Sequence, residues 1–156
     1  MARPVFIVCA QSTAEDKDTG LFSLFELVEK LIISPIPTPK EGDKTVLVRW
    51  NPFRLVAVWL LEPDKGETYE DEFEYDLRLY LPLSEQPISL ASGIFKFSQP
   101  VPRLMHRFTL RFDSPPPLDK SGVMRAESKI RKLGSEVWLS QDYPVVVEVM
   151  QPTRAD

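Results

Sequence analysis

Between Glu72 and Leu81 polar and apolar residues alternate without a break. Phe73, Tyr75, Leu77, Leu79 and Leu81 take one parity, and Glu72, Glu74, Asp76, Arg78 and Tyr80 the other. Successive side chains of a strand point to opposite faces, so this period of two predicts a strand with one buried and one wet face. Arg107 to Phe112 alternates in the same way, with Phe108, Leu110 and Phe112 against Arg107, Thr109 and Arg111. Phe73, Tyr75, Leu77, Leu79, Phe108, Leu110 and Phe112 are therefore the predicted core.

Other segments carry the β-branched and aromatic composition of strands. Val5 to Gln11, Lys44 to Trp50, Arg54 to Glu62, Gly93 to Phe97 and Val123 to Ile130 read as strands, and Glu136 to Leu139 with Tyr143 to Met150 as a terminal hairpin. Turn residues separate them at Asp18-Thr19-Gly20, Asn51-Pro52 and Pro63-Asp64-Lys65-Gly66. Leu21 to Ile33 fits two patterns. Leu24, Leu27, Val28 and Leu31 share one face of a helix, while Leu21, Ser23, Phe25, Leu27 and Leu31 fit a strand. Composition favours helix over Leu24 to Lys30, and both assignments stay open.

About eight strands separated by turns, without repeated βαβ spacing, predict an all-β fold: a β-sandwich of mostly antiparallel strands, with room for one short helix near residues 24–30. The 15 prolines against 6 glycines sharpen the outline. Pro35, Pro37 and Pro39 alternate and Pro115 to Pro117 are consecutive. Proline has no amide donor, so these stretches are connections rather than helix interiors or central strands. At 156 residues the chain is expected to form a single domain over 1–156, large enough to fold without a disulfide or metal.

Three predicted strands are apolar on both faces: Val5 to Ala10, Leu55 to Leu61 with Trp59, and Val145 to Val147. One face of each belongs to the core and the other needs a cover. An amphipathic helix over Leu24 to Ile33 is one cover, and a second copy in a two-fold homodimer is the other. The dimer is favoured, since one short helix cannot shield three strands.

Net charge is −4, with 23 acidic and 19 basic residues, which disfavours bulk attraction to nucleic acid or anionic membrane. The densest basic group, Lys129, Arg131 and Lys132, is small. No stretch approaches the roughly 20 apolar residues of a membrane helix. The opening residues lack the form of a secretory signal, so the expected compartment is the cytoplasm.

Candidate chemistry is sparse. Cys9 is the single cysteine and lies in an apolar run, as a core thiol would. His106 is the single histidine, so any nucleophile–histidine pair must use it. One histidine and one cysteine exclude a zinc site of the usual four N/S ligands. The acidic stretch Glu67, Glu70, Asp71, Glu72, Glu74 and Asp76 lacks a calcium-loop spacing and suits a solvated face or a guarded edge. Asp16, Asp18, Asp113 and Asp119 are the candidates for calcium held between facing loops. No glycine-rich phosphate loop is present. Trp50, Trp59 and Trp138 fall on three separate strands, as packing residues do.

Phe6-Ile7-Val8-Cys9, then Asp18-x-Gly20, then Ser23-Leu24-Phe25, with Gly122, Gly134 and Tyr143-Pro144-Val145-Val146-Val147 near the end, resembles a family of small bacterial proteins of unknown function. The resemblance implies a β-sandwich of immunoglobulin-like or C2-like form. It departs over Lys40 to Asn51, which is longer here, and it carries no catalytic residues to this chain.

No catalytic, cofactor-binding or metal-ligating residue is assigned, and no cofactor is expected. The function expected is a non-catalytic binding or structural module acting through protein contacts, with itself or another protein. The alternative is a small-molecule binder or enzyme using carboxylates and His106 in a pocket. If no structural metal is present, a chelator will leave the melting temperature unchanged; a drop of several degrees would contradict this.

Overall fold

A computed structural model describes residues 2–15, 22–33, 35–36, 47–48, 51–98 and 102–150. The chain is all-β, and the described residues form eleven strands: β1 (Arg3–Glu15), β2 (Phe22–Leu27), β3 (Lys30–Ile33), β4 (Pro35–Ile36), β5 (Leu47–Val48), β6 (Phe53–Leu60), β7 (Glu72–Tyr80), β8 (Pro87–Lys96), β9 (Met105–Phe112), β10 (Gly122–Lys132) and β11 (Leu139–Val149). Nine of them form a four-stranded sheet, ordered β2-β1-β6-β9, and a five-stranded sheet, ordered β3-β11-β10-β7-β8. β4 and β5 make a short ribbon. All pairings are antiparallel except β3 with β11.

The alternating segments face as expected. Phe73, Leu77 and Leu79 are buried between the sheets, with Tyr75, Phe108, Leu110 and Phe112 half-buried against the same core. The difference follows from sheet order: β7 is internal, whereas β9 is an edge strand. β6, second from that edge, buries Phe53, Leu55, Ala57 and Trp59 in the core. Cys9 is buried beside them, as a core thiol.

The expected helix over 24–30 is not formed. Phe22–Leu27 extends along β1, and Lys30–Ile33 along β11 of the other sheet. The chain changes sheets at Val28 and Glu29. The Val28 amide donates to the Cys9 carbonyl at 2.8 Å, and the Val146 amide to the Glu29 carbonyl at 2.8 Å. Val28 is buried in the core at this crossing. A strand that switches sheets keeps its backbone paired on both sides of the switch and so closes one flank of a sandwich.

The expected terminal hairpin is also displaced. Leu139–Val149 is one strand, and its hairpin partner is β10. Pro144, inside β11, is tolerated because β3 begins to pair only at Val146, so no ladder bond needs its missing amide. The strand expected at Gly93 to Phe97 begins earlier, at Pro87. Of the segment Lys44 to Trp50, Leu47–Val48 is strand and the rest, Trp50 included, lies outside the described residues, as do Asp16 and Asp18. Pro35 lies in the edge ribbon rather than in a connection.

The outer face of the four-stranded sheet has its own cover. Val56 and Val58 point away from the core, yet are 0% and 5% exposed. Phe6, Val58 and Arg107 lie in one row across β1, β6 and β9. In a straight strand Glu15 would be roughly 30 Å beyond Phe6. Arg107 nevertheless pairs with Glu15 at 2.5 Å and sets its guanidinium 3.9 Å over the Phe22 ring. The distal β1–β2 hairpin therefore turns back across this face, which accounts for the burial of Val56 and Val58. Neither a helix nor a second copy is required there.

These positions give an ordered expectation for side-chain truncation. Phe73→Ala should cost about 3–5 kcal/mol, and Phe108→Ala, half-exposed on an edge strand, about 1–2 kcal/mol. Urea unfolding of the two variants measures the difference, and equal losses would show that β9 is not an edge.

Candidate functional site

Where the two sheets face each other, β6 contributes Trp59, β7 Phe73 and Tyr75, β8 Phe95, and β9 His106 and Phe108. Trp59 is fully buried and its indole N–H donates to the Ser128 hydroxyl of β10 at 3.0 Å, one sheet to the other. Tyr75 and Phe95 lie with ring centroids 5.3 and 5.5 Å from Trp59. Gly93, directly opposite Tyr75, is held to glycine by this ring: a Cβ there would stand 3.1 Å from Tyr75 Cε1.

His106 belongs to this layer. It is the cross-strand neighbour of Trp59 and stacks on Phe95 with centroids 4.1 Å apart. The edge of the Phe97 ring completes the surround at 6.3 Å. Burial holds its imidazole below the ordinary 6.5. The single histidine thus seals the seam between edge strands β8 and β9 and has aromatic rings, not a carboxylate, as its contacts. Burial also pushes the Cys9 thiol up to about 12, so it stays protonated and weakly nucleophilic at neutral pH.

The acidic stretch is not gathered around one point. Glu67 is buried and accepts from the backbone amides of Ala2 and, at 2.9 Å, Glu62, which pins the start of β1 to the end of β6. Asp71 pairs with Lys132 at 2.9 Å and accepts from the Thr68 amide at 2.8 Å; those bonds hold its carboxyl below the ordinary range. Glu74 pairs with Arg131 at 2.6 Å, and Asp76 with Arg78 at 2.5 Å. Glu70 and Glu72 reach Lys96 at 3.7 and 4.0 Å. Among the described residues no three His, Cys, Asp or Glu side chains are grouped to hold a metal ion. Of the loop aspartates, Asp113 pairs with Arg111 and Asp119 is exposed.

The same ladder absorbs the basic group. Lys129 meets Glu127 at 3.5 Å, and Arg131 and Lys132 have the partners just named. Trp138 lies under the Arg131 guanidinium at 4.4 Å, an exterior stacking position.

Two features escaped the sequence. A cleft of about 140 Å³ opens beside Gln11, Pro52, Phe53, Arg54 and Arg111. The turn from β7 to β8 projects Leu83, 84% exposed at φ 61°. Pro82 before Leu83 was a readable turn signal, whereas the meeting of Arg54 with Arg111 needs the strand register.

No family model matches the chain, and no curated protein matches it. Among solved structures it is similar to the CooA pilin subunit from enterotoxigenic Escherichia coli, with 8% identity, covering 92% of this chain and 99% of that one at a TM-score of 0.35. Among the described residues no helix is long and apolar enough to cross a membrane.

The buried imidazole sets a pH dependence. Its folded pKa lies below 6.5, so the unfolded chain takes up the proton first as pH falls. Stability is full above pH 6.5 and is lost as pH falls from there through the lower folded value. Glu62, lowered mainly by its bond to Lys65, and Asp71 act only below their ordinary values of 4.5 and 3.8. Denaturant unfolding at pH 7 and pH 5 should therefore show a loss in the wild type that His106→Phe lacks. Equal losses in both proteins would remove His106 as the cause.

Proposed function

We propose that the protein is a non-catalytic binding module that makes protein contacts through one end of its five-stranded sheet. Leu83 carries this reading. The Ser84 amide donates to the Leu81 carbonyl at 3.1 Å, closing a turn with Pro82 second and Leu83 third. A positive φ at the third position calls for glycine or asparagine, and a side chain with a Cβ costs about 1–2 kcal/mol there. Leu83 bears that cost while leaving its side chain in water. The turn is also buttressed. Pro82 is buried against Gly122, whose φ of 150° disfavours a side chain and where an added Cβ would stand 3.0 Å from Pro82 Cβ.

The apolar surface continues from there. Val123, next to Gly122, is 56% exposed and lies directly opposite Val146, 47% exposed. Ile32, 53% exposed, follows on edge strand β3. Lys30 and Glu148 pair at 2.8 Å within this strip. A strip that carries one charge of each sign can be met by the same strip turned through a two-fold axis, so a second copy is the partner proposed first. Val146 belongs to the doubly apolar segment Val145 to Val147, and its outer face remains uncovered. The neutral, buried Cys9 and the ring-bound His106 support a non-catalytic reading.

Leu83→Gly separates function from stability. The variant should unfold at the same or slightly higher denaturant concentration, because relief of the turn offsets the roughly 0.5–1 kcal/mol entropic cost of glycine. Its self-association, followed by light scattering from micromolar to millimolar protein, should weaken relative to wild type. Wild-type protein that stays monomeric throughout would overturn self-association through this strip.

A further inference from the structure

We propose that the cleft at Gln11, Arg54 and Arg111, on the opposite outer face of the sandwich, binds a small oxyanion with at least two acceptor oxygens. Arg54 of β6 and Arg111 of β9 are directly opposite in the antiparallel register and project from the same outer face. Cross-strand partners bring their Cβ atoms to roughly 4.5–5.5 Å, where like charges repel. Two pairs along on the same face, Arg107 lies opposite Val58 and has Glu15 and the Phe22 ring as its partners. Arg54 has no acidic partner among the described residues, and Arg111 pairs with Asp113, Nε to Oδ1, at 2.6 Å.

The neighbours complete a receptor. Gln11 stands next to Ala10, the residue of β1 opposite Arg54, where β1 leaves β6 to pair with β2. Its side-chain amide adds a neutral donor at the cleft wall. Pro52 and Phe53, at the start of β6, complete the lining of the cleft. Guanidinium groups present paired N–H donors that match carboxylate or phosphate oxygens two at a time. The volume, about 140 Å³, holds a small anion and not a polymer. Asp113 opposes the anion, but its one carboxylate stands against two guanidiniums. A bound oxyanion would relieve the Arg54–Arg111 repulsion.

Phosphate and carboxylate share this chemistry, and a titration separates them. Backbone and arginine side-chain NMR signals of the full chain are followed with inorganic phosphate and with acetate, each at ionic strength matched by chloride. The expected result is saturable shifts confined to Gln11, Arg54, Arg111 and their neighbours with one of the two anions and none with chloride. Arg54→Gln should weaken that binding at least tenfold. Arg111→Gln should do the same, which guards against a folding defect in one variant, and circular dichroism checks both. The anion should raise the melting temperature of wild type and not of Arg54→Gln. Shifts spread over all surface lysines and arginines, a response that never saturates with either anion, or binding unchanged in both variants would each overturn the site. None of these outcomes bears on Leu83, which lies on the other sheet.

Discussion

The indole of Trp59 is the constraint around which the rest of the sandwich is arranged. Two sheets packed about 10 Å apart must be filled by side chains from both. A tryptophan fills that gap best, but its N–H must find an acceptor, since an unpaired buried donor costs about 1–3 kcal/mol. Ser128 is the answer from the opposite sheet: small enough to leave room for the ring, polar enough to accept its hydrogen. The neighbouring choices follow. Tyr75 packs on the indole, and its ring in turn requires glycine at position 93. Phe95 and His106 then close the open flank where β8 and β9 have no further strand. Hydrophobic burial drives the sheets together without regard to alignment; the directional bond from Trp59 to Ser128 fixes which rows face each other.

The opposite flank is closed by backbone instead of rings, and this explains what was hard to read in the sequence. Leu24, Leu27, Val28 and Leu31 mimic a helical stripe because the strand phase breaks between Leu27 and Val28. Before the break the alternation belongs to the four-stranded sheet, and after it to the five-stranded one. Glu26 takes a left-handed φ of 54° just ahead of the crossing, so the chain is redirected there at some local cost. Val28 enters the core as the chain passes between sheets. No local pattern distinguishes such a crossing from one face of a helix, because β11, whose Val146 amide donates to the Glu29 carbonyl, lies more than a hundred residues away. By contrast the alternation of β7 and β9 was legible because it depends only on one face being buried.

The candidate sites divide in the same manner. Position 106 suggested catalysis or a surface or packing role, and the structure gives it the packing one, as a ring in an aromatic stack set by its pairing with Trp59. The acidic and basic groups looked like separate patches in the sequence. Register turns several of them into cross-strand pairs on the outer face of the five-stranded sheet, Glu74 with Arg131 and Arg125 with Asp142 at 3.7 Å, while Lys132, in register with Phe73, meets Asp71 just before β7. Exposed pairs of this kind contribute little stability each, roughly 0–1 kcal/mol. Their larger consequence is that each of these charges already has a partner. Arg54 differs because its register neighbour is another arginine.

That contrast bears on where binding can reside in such a fold. Proteins of this size are stable by only about 5–15 kcal/mol, so any unfavourable arrangement must be supported by its surroundings. Two such arrangements survive here, a leucine in a left-handed turn and an arginine opposite an arginine. Each sits outside the core on a rigid support: Leu83 on the Pro82–Gly122 contact, and the arginines on paired strands over Phe53. Either could be relieved by a single change, glycine at 83 or an acid at 111, without touching the Trp59 layer. Mutation toward stability is open at both positions and constrained in the core. Both lie where a substitution leaves the core untouched, so a fold with so few reactive groups has room for recognition at these two places.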